Sequence, residues 1–217
     1  MRACSVFLVV AIVAAGVGAA HAEQQTFDSA GCKIAYTIEG AGEPVLLIHG
    51  YTANGNLNWR GPGIAQALAQ KYQVIVPDVR GHGRSDTPPE GQHGIKVVDD
   101  MVRLLDHVGA KQAHVVGYSM GGMISIKLAT LHPERVRSLL VGGMGWLPEG
   151  SDTAKKYATD TAESERLQAS LRGFGDFATT ESAMKALAMP IKVIVGTDDN
   201  LSKWVDRWKT IVPALDV

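Results

Sequence analysis

Five short runs rich in Val, Ile and Leu recur along the chain, and segments with helical periodicity separate them. Such runs are typical of strands that are buried on both faces, as in a parallel sheet with helices on each side. The alternation of strand and helix therefore predicts an α/β fold with a mostly parallel, doubly wound sheet. The strand-like runs are residues 45–48, 74–76, 114–116, 136–141 and 191–195.

Helix-like segments connect these runs. Residues 95–108 place Val98, Met101 and Leu105 at helical spacing, and Gly109 ends that predicted helix. Further elements are predicted as helices at residues 64–72, 120–131 and 201–211, an early strand at 33–38, and the first residues of one more strand at 215–217.

The pattern changes between residues 146 and 188. This stretch is polar and holds no run that resembles a buried strand. It predicts a small helical cap insertion above the sheet, within a single domain that spans residues 23–217.

The first 22 residues have the composition of a secretory signal peptide. Arg2 supplies a positive start, residues 6–20 are apolar, and Ala20 and Ala22 are small residues at the positions that a signal peptidase recognises. The alternative is a membrane anchor, but the apolar stretch is short, because a span needs about 20 such residues. We expect cleavage after Ala22 and a secreted or periplasmic protein without a stable membrane span.

Charge and cysteine content exclude several classes of function. The formal net charge is -1, so the chain lacks the basic footprint of a nucleic-acid-binding protein. Only Cys32 remains after the predicted cleavage, so neither an internal disulfide nor a cysteine-based metal site is expected.

The segment Gly117-Tyr118-Ser119-Met120-Gly121 fits the pattern G-x-S-x-G between a predicted strand and a predicted helix. In that context the pattern predicts a sharp turn that presents a nucleophilic serine, with glycines where side chains would collide with the backbone. The alternative is an ordinary glycine-rich turn with a helix-capping serine.

Four segments in this order resemble the α/β-hydrolase superfamily, most closely its small esterase, haloperoxidase-like and C–C hydrolase group. They are His49-Gly50, residues 78–86, residues 117–122 and residues 196–199. The resemblance covers essentially the whole chain after the signal peptide and implies the α/β-hydrolase fold.

The resemblance also implies roles for individual residues. Ser119 matches the nucleophile, and Asp199 matches the acid of the catalytic triad, with Asp198 as the neighbouring candidate. The backbone amides of Tyr51 and Met120 are implied as the oxyanion hole. The remaining implied site residues shape the pocket or order its loops, and they are His49, Gly50, His82 and Tyr118. No metal and no cofactor is implied.

The chain departs from this family at the triad histidine. The expected order is Ser, Asp, His, but the last histidine of the sequence is His132, well before Asp199. Without that histidine we expect little or no catalysis from these 217 residues. The last strand and helix of the family fold are also missing from them. The sequence leaves three explanations open: a fragment of a longer protein, a shortened relative that only binds, or a substitute base such as His82.

These features together predict a serine hydrolase that acts through an acyl-enzyme on carboxylic esters with small or medium acyl groups. A serine at the elbow, rather than an aspartate, directs the prediction to acyl chemistry. Two alternatives remain: a C–C bond hydrolase or perhydrolase on the same scaffold, and a ligand-binding relative without catalysis.

Overall fold

A computed structural model describes residues 22–87, 93–157, 171, 173–213 and 215–217. Within these ranges the chain forms a seven-stranded sheet with the spatial order β1-β2-β4-β3-β5-β6-β7. Strand β2 pairs antiparallel with β1 and β4, and all other neighbours are parallel. The mostly parallel α/β fold is therefore confirmed. The strands are β1 Gln24–Ser29, β2 Cys32–Glu39, β3 Glu43–Ile48, β4 Tyr72–Pro77, β5 Ala113–Tyr118, β6 Val136–Gly142 and β7 Ile191–Ile194.

Helices and helical turns connect the strands. Helix α3 is buried along most of its length, as its largely apolar sequence requires. The helices are α1 Ile64–Leu68, α2 Ile95–His107, α3 Met120–Leu131, α4 Asp152–Tyr157, α5 Glu181–Lys185 and α6 Ser202–Ile211. The shorter turns are a π-helical turn at Asn56–Arg60 and 3₁₀ turns at Pro133–Arg135 and Gly173–Phe177.

Two local predictions differ from the structure. The predicted helix at 64–72 is too long, because α1 ends at Leu68 and Tyr72 already pairs with Glu43 in the sheet. Strand β1 was not predicted, because its sequence is mostly polar and four of its six residues are not buried. An edge strand that pairs on one side carries little hydrophobic signal.

Hydrogen bonds of Thr179 join the two ends of the described part of the 146–188 segment, and the neighbouring Ala178 attaches that segment to helix α3. The carbonyl of Thr179 accepts from the indole of Trp146 at 3.0 Å, and its amide donates to Leu147 at 3.0 Å. Lys127 of α3 donates to the carbonyl of Ala178 at 2.8 Å. Residues 158–170 and 172 lie outside the described ranges, so the predicted cap insertion stays a prediction there.

The sequence predicts a signal peptide at the start of the chain and the beginning of a strand at residues 215–217. The predicted signal peptide lies almost wholly outside the described residues, since residues 1–21 are not described. No helix within the described ranges is long and apolar enough to cross a membrane. At the other end Asp216 forms a parallel bridge with Lys192, and the amide of Val193 donates to the Asp216 carbonyl at 2.8 Å. Residues 215–217 therefore lie along the outer edge of β7.

A buried ion pair joins helix α2 to the loop after β4. The guanidinium of Arg80 donates to Asp100 through two nitrogens, the Nε contact being 2.6 Å, and Ser29 donates to the same carboxylate. Both charged side chains are almost wholly buried. Burial raises the pKa of the Asp100 carboxyl, and the hydrogen bonds from Arg80 and Ser29 oppose that rise. Loss of either partner would leave an uncompensated buried charge.

His93 is buried between the loop after β4 and the 3₁₀ turn of the 146–188 segment. Its ring lies close to Gly81 and its Cβ close to Gly173. Neither ring nitrogen has a hydrogen-bond partner in the described part of the chain. Burial, together with the nearby Arg80 and His82, lowers the pKa of His93 to about 4. The ring is therefore neutral in the folded protein at neutral pH.

We predict that Asp100→Leu lowers the free energy of unfolding by about 3–5 kcal/mol, because it leaves the Arg80 guanidinium buried without its carboxylate. Urea denaturation measures the change. The control is Lys185→Ala, which removes an exposed pair with Glu181 and should cost under about 0.5 kcal/mol. A loss of less than about 1 kcal/mol for Asp100→Leu would contradict the prediction.

We predict a stability loss in acid that depends on His93. Its folded pKa is below the unfolded value of about 6.5, so its stabilising contribution is complete above pH 6.5 and is lost as the pH falls towards 4. Relative to His93→Phe, the native chain should lose up to about 3 kcal/mol over that interval. Urea denaturation across pH measures this, with the partly exposed His132→Gln as control. Equal pH slopes for the native chain and His93→Phe would refute it.

Candidate active site

Ser119 lies at the turn between β5 and α3 with a strained backbone. Its φ is 52° and its ψ is -114°, a conformation that is rare for a residue with a side chain. The amide of Ser119 donates to the Gly142 carbonyl at 2.8 Å, and its own carbonyl accepts from Gly122 at 2.8 Å. The serine side chain does not cap the helix. The ordinary capping role is thus not the one that this turn uses.

Glycines make this turn sterically possible. A Cβ on Gly117 would overlap the carbonyl oxygen of Gly121, and a Cβ on Gly121 would overlap the carbonyl oxygen of Ile48. On Gly122 it would lie 3.0 Å from side-chain atoms of Val141 and Met144. Helix α3 therefore approaches the sheet backbone closely, and its first turn begins at the end of β5. Amides at a helix start favour negative charge.

The loop after β3 lies beside this elbow. The amide of Gly50 donates to Asn58 Oδ1 at 2.8 Å, and its carbonyl accepts from Ala53 at 3.3 Å. A Cβ on Gly50 would lie 3.2 Å from the ring of Tyr118, which is about half exposed. Tyr51 follows Gly50 directly, and Met120 opens α3. The two amides implied as the oxyanion hole thus stand in neighbouring segments, and their role stays a prediction.

His49 links two loops and is fully buried. Its Nδ1 donates to the Gly50 carbonyl at 2.8 Å, which leaves Nε2 to accept from the Val79 amide at 2.9 Å. Burial lowers the pKa of His49 to about 4. A neutral ring with both nitrogens engaged orders the loops after β3 and β4, and it is a poor proton acceptor for Ser119 at neutral pH.

His82 lies next to His49 beneath the same loop. The centroids of the two imidazole rings are 5.3 Å apart, and the ring of Tyr51 lies 5.9 Å from that of His82. The Nδ1 of His82 is 3.2 Å from the carbonyl of Arg80. His82 is thus buried among loop groups rather than exposed at the elbow.

Asp199 follows β7 in the turn before α6. Its Oδ1 accepts from the amide of Leu201 at 2.8 Å, and its backbone amide donates to Gly196 at 3.0 Å. The carboxylate is half-buried, whereas that of Asp198 is exposed. Because β5, β6 and β7 are parallel neighbours, Ser119 and Asp199 both lie at the carboxyl edge of the sheet, where α/β enzymes place their sites.

An aromatic cluster from the 146–188 segment packs over the loop after β3. Phe174 contacts Tyr51 edge-on, with ring centroids 5.2 Å apart, and also contacts Tyr157 at 5.3 Å and Phe177 at 6.2 Å. Sequence reasoning missed Phe174, because the surrounding stretch is polar and lacks periodicity. No group of three metal-ligating side chains occurs among the described residues.

Comparison with known proteins agrees with this geometry. A family model described as the alpha/beta hydrolase fold matches residues 43–213. The 2-hydroxymuconate semialdehyde hydrolase of Pseudomonas sp. strain CF600 is 39% identical over 146 residues, covering 64% of this chain and 51% of that enzyme. The enzyme of the same name from Pseudomonas putida is 31% identical over 207 residues, covering 75% and 73%. The chain thus spans about half the length of the first of these relatives.

Solved structures show the same fold. A thermophilic esterase from Thermogutta terrifontis, solved with malate bound, superposes with a TM-score of 0.74 at 22% identity. The match covers 90% of this chain and 88% of the esterase. At this identity the superposition shows the fold alone. Since the family model matches well over half of the sequence, the chain belongs to the α/β-hydrolase family of hydrolases.

Proposed function

We propose that this protein is a serine hydrolase that cleaves small carboxylic esters through an acyl-enzyme. One observation carries the proposal: Ser119 has a strained, positive φ at the junction of β5 and the buried helix α3. Such strain persists only where the surrounding structure imposes it, and it is concentrated at functional sites. Export by residues 1–22 belongs to the same proposal.

The proposed reaction forms and breaks an acyl–oxygen bond twice. Ser119 Oγ attacks the acyl carbon while a base takes its proton, and the amides of Tyr51 and Met120 stabilise the oxyanion. The intermediate collapses, and the alcohol leaves with that proton. Water then attacks the acyl-serine with the same base and releases the acid. Asp199 would orient an imidazole that acts as the base.

A base that could take the proton of Ser119 is the missing component of this mechanism. No histidine follows His132 in the 217 residues, and both nitrogens of His49 are engaged. The buried His82 lies beneath the loop after β3. We therefore propose that these 217 residues carry the nucleophile and the oxyanion hole, and that none of the histidines among them serves as the triad imidazole.

We predict that added imidazole restores hydrolysis that depends on Ser119. With p-nitrophenyl butyrate, the chain and Ser119→Ala should differ little in buffer. In imidazole the chain should exceed Ser119→Ala by about tenfold, because general-base catalysis contributes about 10²–10⁴-fold and a free base recovers part of it. Release of p-nitrophenol measures the rate, and mass spectrometry should find the butyryl group on Ser119.

Ser138→Ala is the matched control. Ser138 forms a hydrogen bond with His114 within the sheet, so this variant should react like the native chain. Clear Ser119-dependent turnover without imidazole would show that a base such as His82 is already present. Equal rates of the chain and Ser119→Ala in imidazole, without acylation of a folded sample, would favour a protein that binds ligands without catalysis.

A second candidate is C–C bond hydrolysis beside a carbonyl group. It is favoured by the similarity to two enzymes named 2-hydroxymuconate semialdehyde hydrolase. The same serine, oxyanion hole and acid would serve, so the elbow does not separate the two reactions.

We predict that product analysis separates them. Under imidazole rescue, kcat/KM for p-nitrophenyl butyrate should exceed kcat/KM for 2-hydroxymuconate semialdehyde, because the leading proposal requires only an ester carbonyl. Chromatography of both reactions identifies the products. Preferential cleavage of the C–C bond, lost in Ser119→Ala, would replace the ester assignment with the second candidate.

A further inference from the structure

A cavity lies beside the amino-terminal strands, away from the elbow. Its volume is about 400 Å³, which is within the range of small-molecule sites. None of Ser119, Met120 and Asp199 lines it. Its floor is one face of the sheet, because Gln24, Thr37 and Val76 are directly opposite one another across β1, β2 and β4.

Two guanidinium groups line this cavity, and they differ in their partners. Arg60 Nε pairs with Glu39 at 2.7 Å. Arg84 Nη1 donates to the neutral amide oxygen of Gln24 at 2.9 Å, and within the described ranges no carboxylate pairs with its guanidinium. Arg84 thus keeps its full charge and most of its five N–H donors.

The one carboxylate in the lining is already occupied. Asp78 Oδ1 accepts from the Gly55 amide at 2.8 Å, and Oδ2 accepts from the Arg84 amide at 2.9 Å. Each carboxylate oxygen of Asp78 thus already accepts one backbone hydrogen bond, and neither oxygen pairs with the Arg84 guanidinium in the structure.

The uncharged side chains of the lining add donors. Asn54 uses its Oδ1 to accept from the Leu57 amide at 2.9 Å, so its NH₂ group remains available. Asn56 contributes a second amide to the wall. A cavity with two guanidiniums and an excess of N–H donors suits a ligand that brings acceptors and negative charge.

We propose that this cavity binds a small oxyanion, a carboxylate or a phosphate, with Arg84 as its principal ligand. Arg60 is paired with Glu39 through Nε and adds its remaining N–H donors, and the NH₂ groups of Asn54 and Asn56 add further hydrogen bonds. The site requires neither Ser119 nor a triad base, so it is independent of the ester-hydrolase proposal.

The test is calorimetric titration of the 217-residue protein with sodium phosphate and, separately, with sodium acetate at constant ionic strength. At least one anion should bind at one site per chain, and the two titrations show whether it is phosphate or carboxylate. Arg84→Gln should raise that Kd about tenfold or more, because it removes charge-assisted hydrogen bonds. Asn56→Asp should abolish binding, because it places a carboxylate in the wall.

The matched control is Arg137→Gln. Arg137 is an exposed arginine that pairs with Glu43 and lines a separate cleft with Lys111 and Arg135. Its replacement removes the same charge and should leave the Kd unchanged. Absence of binding for both anions would overturn the proposal. Equal weakening by Arg84→Gln and Arg137→Gln, or weakening by Arg137→Gln alone, would also overturn it. Circular dichroism and melting temperature verify that each variant is folded. If Arg84→Gln does not fold, Asn56→Asp is the variant that decides the test.

Discussion

The close approach of helix α3 to strand β3 is the contact on which the rest of the site depends. Gly121 lies so near the carbonyl of Ile48 that no side chain fits between them, and Gly117 lies equally near the first turn of the helix. This contact forces the sharp turn that holds Ser119 at positive φ. It also places the end of β3, and so the loop of Gly50, against the start of α3.

The buried histidines His49 and His93 differ in whether their ring nitrogens form hydrogen bonds. His49 satisfies both nitrogens and thereby joins the loops after β3 and β4. His93 satisfies neither within the described residues, yet it is nearly as inaccessible. An unpaired buried group costs stability, so packing of the surrounding loops must offset that cost. The first ring orders the site, whereas the second makes the fold sensitive to protons.

Elements with a local signal could be predicted from the sequence, and those that depend on distant partners could not. Helix α3 and the strands flanking the elbow follow from apolar patterning and glycine spacing, which neighbouring residues determine. Strand β1 is polar and exists because β2 pairs with it. The contact of Phe174 with Tyr51 joins residues more than a hundred positions apart, and nothing in either local sequence announces it. The elbow pattern itself predicts Ser119 as a nucleophile, whereas the role predicted for Asp199 rests on the family resemblance, since spacing alone does not bring the two to one sheet edge.

The π-helical turn at Asn56–Arg60 serves two neighbours at once. Its Asn58 holds the amide of Gly50, while Asn56 and Arg60 form part of the cavity wall on the other side. Because the turn has only five residues, an insertion or deletion there would displace both Asn58 and the cavity-lining Asn56 and Arg60. The loop of Gly50 and the cavity are therefore coupled through this turn, because a change in its length would displace the groups that contact both.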